Sequence, residues 1–257
     1  MSCPTLEIVG PGNLDECGLG CLSNRKHPGY QAKTDWLHDR FAEGLRLLLF
    51  RDAQGKPLAS LETVPGESAW RPVEASGWLF VHCLWVHAAG QRVGGLGSRL
   101  IQACVEEARR GGFTGVAVLT SSGTWMAGPR VFLKNGFERV ASDGPYHLVA
   151  YRLEDGPAPR LRELGDPAGY RGLHIIYADQ CPMFTKSVQD VTALAAEHGI
   201  EAQVTRLQTA REAQAAPSRQ GVYSLIWNGK LLADHYVSGG RFRNLLRDEI
   251  LSESRMK

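Results

Sequence analysis

Residues 77–100, GWLFVHCLWVHAAGQRVGGLGSRL, constrain the fold more than any other stretch of the chain. The run 77–87 is apolar and rich in aromatic and β-branched residues, the composition of a central strand buried on both faces. It leads directly into GQRVGGLGSRL, where Gly90, Gly94, Gly95 and Gly97 fall within eleven positions. From Leu96 the apolar residues Leu100, Ile101, Cys104, Val105 and Ala108 recur at helical spacing, with Arg99, Glu106, Arg109 and Arg110 on the wet face. A strand, a glycine turn and an amphipathic helix predict an α/β fold. The turn then lies at a helix N-terminus, where free amides and the helix dipole favour a phosphate.

What the turn lacks narrows the choice of phosphate. A P-loop needs GxxxxGK followed by Ser or Thr, and no lysine lies in this turn. A dinucleotide fingerprint starting at Gly95 needs glycine at position 100, where Leu100 stands. It also wants an acidic residue roughly twenty residues on, at the end of a second strand, and none is there.

Around this centre the sequence reads as a first strand in CPTLEIVG, a turn-rich stretch NLDECGLGCLSNRKHPG, and a helix over 30–43 ended by Gly44. A hairpin over 45–64 turns at DAQGKP. After the central helix come a strand TGVAVLTS, a short helix in PRVFLKNGF and two closing strands over 138–153. That predicts a first α/β domain over 1–153. Residues 154–171, dense in Pro, Gly and charge, are expected to be a linker.

A second, small α/β domain is expected over 172–257. Its order is strand, helix, strand, helix, two strands, helix, with a hairpin turning at Asn228–Gly229, a favourable type I′ pair. The 257 residues suit two domains. A net charge of +2 from interspersed charges leaves no basic stripe for nucleic acid. No run of eighteen apolar residues could span a bilayer, and the first residues lack the pattern of a signal peptide, so a cytoplasmic location without membrane association is expected. Cys3, Cys17, Cys21, Cys83, Cys104 and Cys181 do not suggest a disulfide scaffold in a chain of this length; several are expected to be small buried hydrophobes.

Arg92, Gly95 and Gly97 spell R-x-x-G-x-G between strand and helix, and FLKNGF follows at 132–137 after the next strand. This order resembles motif A and the FYEKxGF segment of the GNAT acetyltransferases. The resemblance implies a GNAT acyl-CoA N-acyltransferase fold with acetyl-CoA as co-substrate. Amides of Arg92, Val93, Gly94, Gly95, Leu96, Gly97 and Ser98 would receive its diphosphate, and backbone groups of Leu84, Trp85 and Val86 would pair with its pantetheine arm. One amide there would polarise the thioester carbonyl, an effect worth about 3 kcal/mol per donor. The implied reaction is direct acetyl transfer to the amine of a small molecule in a ternary complex, without metal.

The chain departs from that pattern at the general acid. Phe132 stands where the family often has tyrosine, leaving Tyr146 on the closing strands, or unassisted departure of the thiolate. The family's asparagine ahead of that tyrosine is also missing, with Trp125 and Met126 in its neighbourhood. For the base, His82 lies close to where some members carry a catalytic glutamate, and its intrinsic pKa suits the task; a histidine in an apolar strand also reads as a satisfied core residue. His87 is the second choice. Cys83 and Cys104 read as packing.

KHPGYQAKTDWLHDRFAEGL and YADQCP make the likeness more specific, to the YoaP-like acetyltransferases, in which a small C-terminal domain follows. The order of elements there matches a thioredoxin-like fold, with Cys181 at the reactive position before the helix, where a thiol's pKa is depressed. Phe184 replaces the second cysteine of a CxxC motif, and Val222 or Tyr223 stands where a cis-proline is expected, so dithiol exchange is not expected and a structural domain is the default. CGLGC falls where the family builds its acceptor pocket. Cys17, Cys21 and His27 would make at most half a zinc site and read as turn residues. Two alternatives stay open: a thiol-dependent redox or electrophile-binding protein using Cys181, and a non-catalytic acyl-CoA sensor.

Overall fold

A computed structural model describes residues 4–123 and 125–252, and only the backbone at Arg92; Cys3 lies outside the described residues. The chain divides into two compact units. The first holds residues up to 26, 34–69 and 73–162; the second holds 27–33, 70–72 and the residues from 163 on.

Up to residue 162 the elements are β1 (Thr5–Val9), α1 (Leu14–Cys17), α2 (Tyr30–Phe41), β2 (Arg46–Arg51), β3 (Pro57–Pro65), β4 (Val73–Glu74) and β5 (Leu79–Val86). They continue with α3 (Ala88–Val93), α4 (Leu96–Arg110), β6 (Gly115–Ser121), α5 (Pro129–Leu133), β7 (Glu138–Asp143), β8 (Tyr146–Arg152) and β9 (Arg160–Leu161). Seven strands form one sheet in the order β1-β2-β3-β5-β6-β8-β7. Its one parallel pair is β5 with β6, joined through α4, because parallel neighbours need a crossover and a helix serves as one. The buried stripe of α4, Leu96, Leu100, Ile101, Cys104, Val105 and Ala108, packs on Leu79, Val81, Val116, Val118 and Val149. Each larger side chain buried there contributes about 1.5–3 kcal/mol, which holds the helix start against the strand ends.

Three expectations need correction. The glycine segment is not a plain turn leaving the strand: residues 88–93 form α3 first. A Cβ on Gly90 would sit 2.2 Å from the Leu58 carbonyl, so only glycine lets α3 pass this close to β3. Nor is β5 buried along its whole length, since Cys83, Leu84 and Val86 are partly open and Trp85 is exposed. Finally, residues 154–162 are structured rather than linking. Trp78 Nε1 donates to the Pro157 carbonyl at 2.9 Å, and β9 pairs with β4. The segment 163–171, within the second unit, includes a 3-10 turn at Pro167–Gly169 capped by Asp166.

The second unit contains β10 (Leu173–Tyr177), α6 (Met183–Ala196), β11 (Ala202–Arg206), α7 (Ala210–Gln214), β12 (Tyr223–Trp227), β13 (Lys230–Ala233) and α8 (Gly239–Leu245). A π-helical turn over Leu246–Ile250 follows α8. Its sheet runs β11-β10-β12-β13, with β10 parallel to β11 and antiparallel to β12. Asn228 and Gly229 both take positive φ (45° and 83°), as a type I′ hairpin requires. Segment 27–33 belongs to this unit because Gly29 lies against the Pro182 backbone, and 70–72 because Gly221 lies against Pro72 and Arg71.

Candidate functional site

The site begins with an irregularity in β5. Glu62 pairs with Cys83 and Thr63 with Val81, so His82 is the extra residue of a β-bulge. A bulge bends its strand and raises the local twist. Beyond it, β5 parts from its parallel neighbour: pairing with β6 ends at Val81–Val118, although β5 continues to Val86 and β6 to Ser121. Backbone groups of residues 82–86 on that side therefore leave the ladder and face an opening between two strand ends. The Val86 carbonyl is reached at 3.5 Å by the Gln91 side-chain amide of α3.

Beside this opening, α4 starts. Gly94 (φ 75°) and Gly95 (φ 68°) are both left-handed, and Gly95 is the N-cap. A Cβ at either would meet nothing within 4 Å, so both border open space. The amides of Leu96, Gly97 and Ser98 open the helix and have no partners within it. The first turn holds no acidic residue, and Arg99 lies over the Phe50 ring at 4.5 Å. Positive dipole and cation thus coincide, which suits an anion. Gly97 packs inward: a Cβ there would lie 3.7 Å from Val86, 3.9 Å from Val131 and 4.0 Å from Leu84. Leu96 is buried, Val93 is exposed, and the Arg92 side chain lies outside the described residues.

Leu84 and Val86 pack toward the α4-side core. On the opposite face His82, 5% exposed, lies between Trp36 of α2 (ring centroids 6.1 Å) and Phe80 (5.8 Å). Glu62, in register with Cys83 next to the bulge, is 3% exposed. The mouth of β5 is closed on one side by the loop at 18–21. His87 Nε2 sits 2.5 Å from the Gly20 carbonyl, and a Cβ on Gly20 would come within 2.7 Å of Ser60 Cβ. Cys17 anchors this loop from below, donating its thiol hydrogen to Glu7 Oε2 at 3.1 Å, while Arg51 donates to the same oxygen at 3.0 Å. Burial first, then the hydrogen bond to Glu7, pushes the Cys17 thiol up to about 11.

Tyr146 begins β8 opposite Ser121, at the same end of β6 as the opening, and is largely buried. Phe132 is fully enclosed, edge-to-face with Phe137, so its ring is core rather than an open wall. Cys104 lies in the core under α4, where burial pushes its thiol up, as packing requires. Among the described residues no group of three or more His, Cys, Asp or Glu could hold a metal ion. In the second unit Cys181 is half-buried just ahead of α6, its carbonyl accepting from Phe184 N at 3.1 Å.

Sequence reasoning passed over two residues. Glu62 is the one charge in the strand LASLETV, and that isolation is the signal that marks it. Asn135 of the KNGF segment donates through Nδ2 to Ser98 Oγ at 3.0 Å and to the Val131 carbonyl at 2.7 Å, tying α5 to the first turn of α4. No local pattern predicts the bond to Ser98, which is distant in sequence.

The sheet thus opens between two parallel strands beside a glycine-capped helix start, a cleft whose rim offers helix amides to an anion. Residues 18–137 match the acetyltransferase (GNAT) family. Over 242 residues it is 26% identical to the uncharacterized N-acetyltransferase YoaP of Bacillus subtilis (strain 168), covering 91% of this chain and 95% of that protein. Similar solved structures include the ribosomal-protein-alanine N-acetyltransferase of Brucella melitensis, at 17% identity and TM-score 0.42 over 58% of this chain and 99% of that one. The PaiA N-acetyltransferase of Thermoplasma acidophilum in complex with coenzyme A is another, at 11% identity and TM-score 0.38 over 58% and 99%. Among the described residues no helix is long and apolar enough to cross a membrane.

Proposed function

We propose that the chain moves the acetyl group of acetyl-CoA to the amine of a small molecule by direct transfer in a ternary complex. One observation carries the reading: β5 parts from β6 after Val81–Val118, directly beside the left-handed Gly94–Gly95 turn and the free amides of α4. The two open glycines and the uncrowded face of Gly97 leave room for a diphosphate and a pantetheine arm. The backbone of Leu84, Trp85 and Val86 would hold the arm, and the amides of residues 92–98 the diphosphate.

Bound acetyl-CoA supplies its acetyl group as a thioester, whose C–S bond breaks as the bond from the amine nitrogen to the acetyl carbon forms. An amide at the end of β5 donates to the carbonyl oxygen as charge builds there, the kind of term that contributes about 3 kcal/mol. His82, at the bulge, receives the proton that the nitrogen sheds, through a water because the ring is enclosed. Tyr146, at the open end of β6, returns a proton to the sulfur. The second unit's sheet order, with β10 parallel to β11 and antiparallel to β12, supports a thioredoxin-like reading of residues 172–257 as a structural domain.

Isothermal titration of the full chain with acetyl-CoA tests the reading. Binding is expected for the wild type and is abolished in Gly95→Glu, which puts a carboxylate at the open helix start, and in Gly97→Glu, whose side chain fills the space between α4 and the end of β5. A wild-type protein that does not bind acetyl-CoA refutes it.

A further inference from the structure

We propose that the acceptor amine carries an aromatic body and that Trp85 is the surface on which it packs, an inference that rests on the acetyl-transfer reading above. Leu84 and Val86 face the α4-side core, so Trp85 between them points to the other face of the sheet. It is 49% exposed, whereas the first four residues of the same strand are buried. Its indole is held without being covered: the His87 ring meets it edge-on, with centroids 6.2 Å apart at 88°, and the Gly20 carbonyl fixes His87 in turn.

The position matters for the reaction. A thioester held on the backbone of residues 84–86 has α4 on one side, so an amine reaches its carbonyl from the side of Trp85. That wall is an indole, an imidazole, the strand neighbour Ser60 and the backbone of Gly20, which only a glycine brings this close. Such a surface recognises a flat aromatic ring by stacking and edge contacts. A second half-exposed indole follows the end of β6. Trp125 is 50% exposed and has φ 70°, a backbone conformation that bulky residues seldom adopt. Because β5 and β6 are parallel, their C-terminal ends lie at the same end of the sheet, with Trp85 near the end of β5 and Trp125 in the loop that follows β6.

The test uses the full chain with saturating acetyl-CoA and follows CoA thiol release with phenethylamine and tryptamine against n-butylamine and putrescine. The aryl amines are expected to have kcat/KM at least tenfold above the alkyl amines. In Trp85→Ala and Trp85→Leu that selectivity falls to about one, through KM for the aryl amines, while Trp85→Phe retains most of it. Leucine keeps bulk without a ring, so its result stands if the alanine variant folds poorly. The proposal is overturned if wild-type selectivity is absent, if it survives Trp85→Leu, or if acetyl-CoA binds and no aryl amine is turned over. Failure of the wild type to bind acetyl-CoA in calorimetry refutes instead the acetyl-transfer reading beneath it.

Discussion

Alanine at Gly95 and at Gly97 should move stability in opposite directions while both weaken acetyl-CoA binding. Gly95 is the left-handed N-cap of α4 at φ 68°, with nothing within 4 Å of the place a methyl group would take, so alanine there meets no clash and only backbone strain. A non-glycine residue in that conformation costs roughly 1–2 kcal/mol, or about 2–8 °C in Tm for a chain of this size. Gly97 lies inside the helix. Its added methyl would make ordinary contacts at 3.7–4.0 Å with Val86, Val131 and Leu84, and alanine in a helix gains up to about 1 kcal/mol over glycine. Tm should therefore stay level or rise by a few degrees. That methyl, however, fills the space between α4 and the end of β5 along which the pantetheine arm would run. A tenfold or greater rise in acetyl-CoA Kd, about 1.4 kcal/mol or more, is expected. Thermal denaturation and calorimetry on the two variants separate the effects. Wild-type affinity in Gly97→Ala would place the arm elsewhere; an unchanged Tm in Gly95→Ala would mean that the turn is not left-handed at 95.

Two further predictions concern ionisable groups. If His82 takes the amine proton, His82→Gln lowers kcat/KM by about a hundredfold and removes the acid limb of its pH profile. Glu62→Gln, a neighbour across the bulge, should lower it less than tenfold and keep the limb; an unaltered limb in His82→Gln excludes the histidine. The Cys17 thiol, raised from 9.0 to about 11 by burial and Glu7, stabilises the fold below pH 9, and that contribution is lost as pH rises through 11. The wild type should lose about 2 kcal/mol more than Cys17→Ala between pH 8 and pH 10.5 in urea unfolding, since one pKa unit corresponds to about 1.4 kcal/mol. Equal losses in both proteins would remove Cys17 as the cause.

Much of the site was legible because its parts are local. A run of β-branched and aromatic residues, paired glycines and a period of 3.6 each act over a few neighbours, and they place β5, the Gly94–Gly95 corner and α4 where the sequence predicts them. Asn228–Gly229 was legible for the same reason. α3 was not, because it depends on Gly90 passing the Leu58 carbonyl, a contact between distant segments. The order in residues 154–162 was not legible, because composition reports solvent preference and is blind to the bond from Trp78 to the Pro157 carbonyl.

The amino-acid order by itself determined an α/β chain with a glycine-capped helix suited to a diphosphate, since capping, periodicity and strand propensity are properties of short segments. Tertiary structure alone decided where the sheet opens. The bulge at His82 exists only in register with Glu62 and Thr63 of β3, and the parting of β5 from β6 follows from the bend it introduces. The same register buries Glu62, and the alternation along β5 leaves Trp85 half-exposed beside the opening. Pairing between strands far apart in the chain sets those outcomes, and no local pattern encodes it.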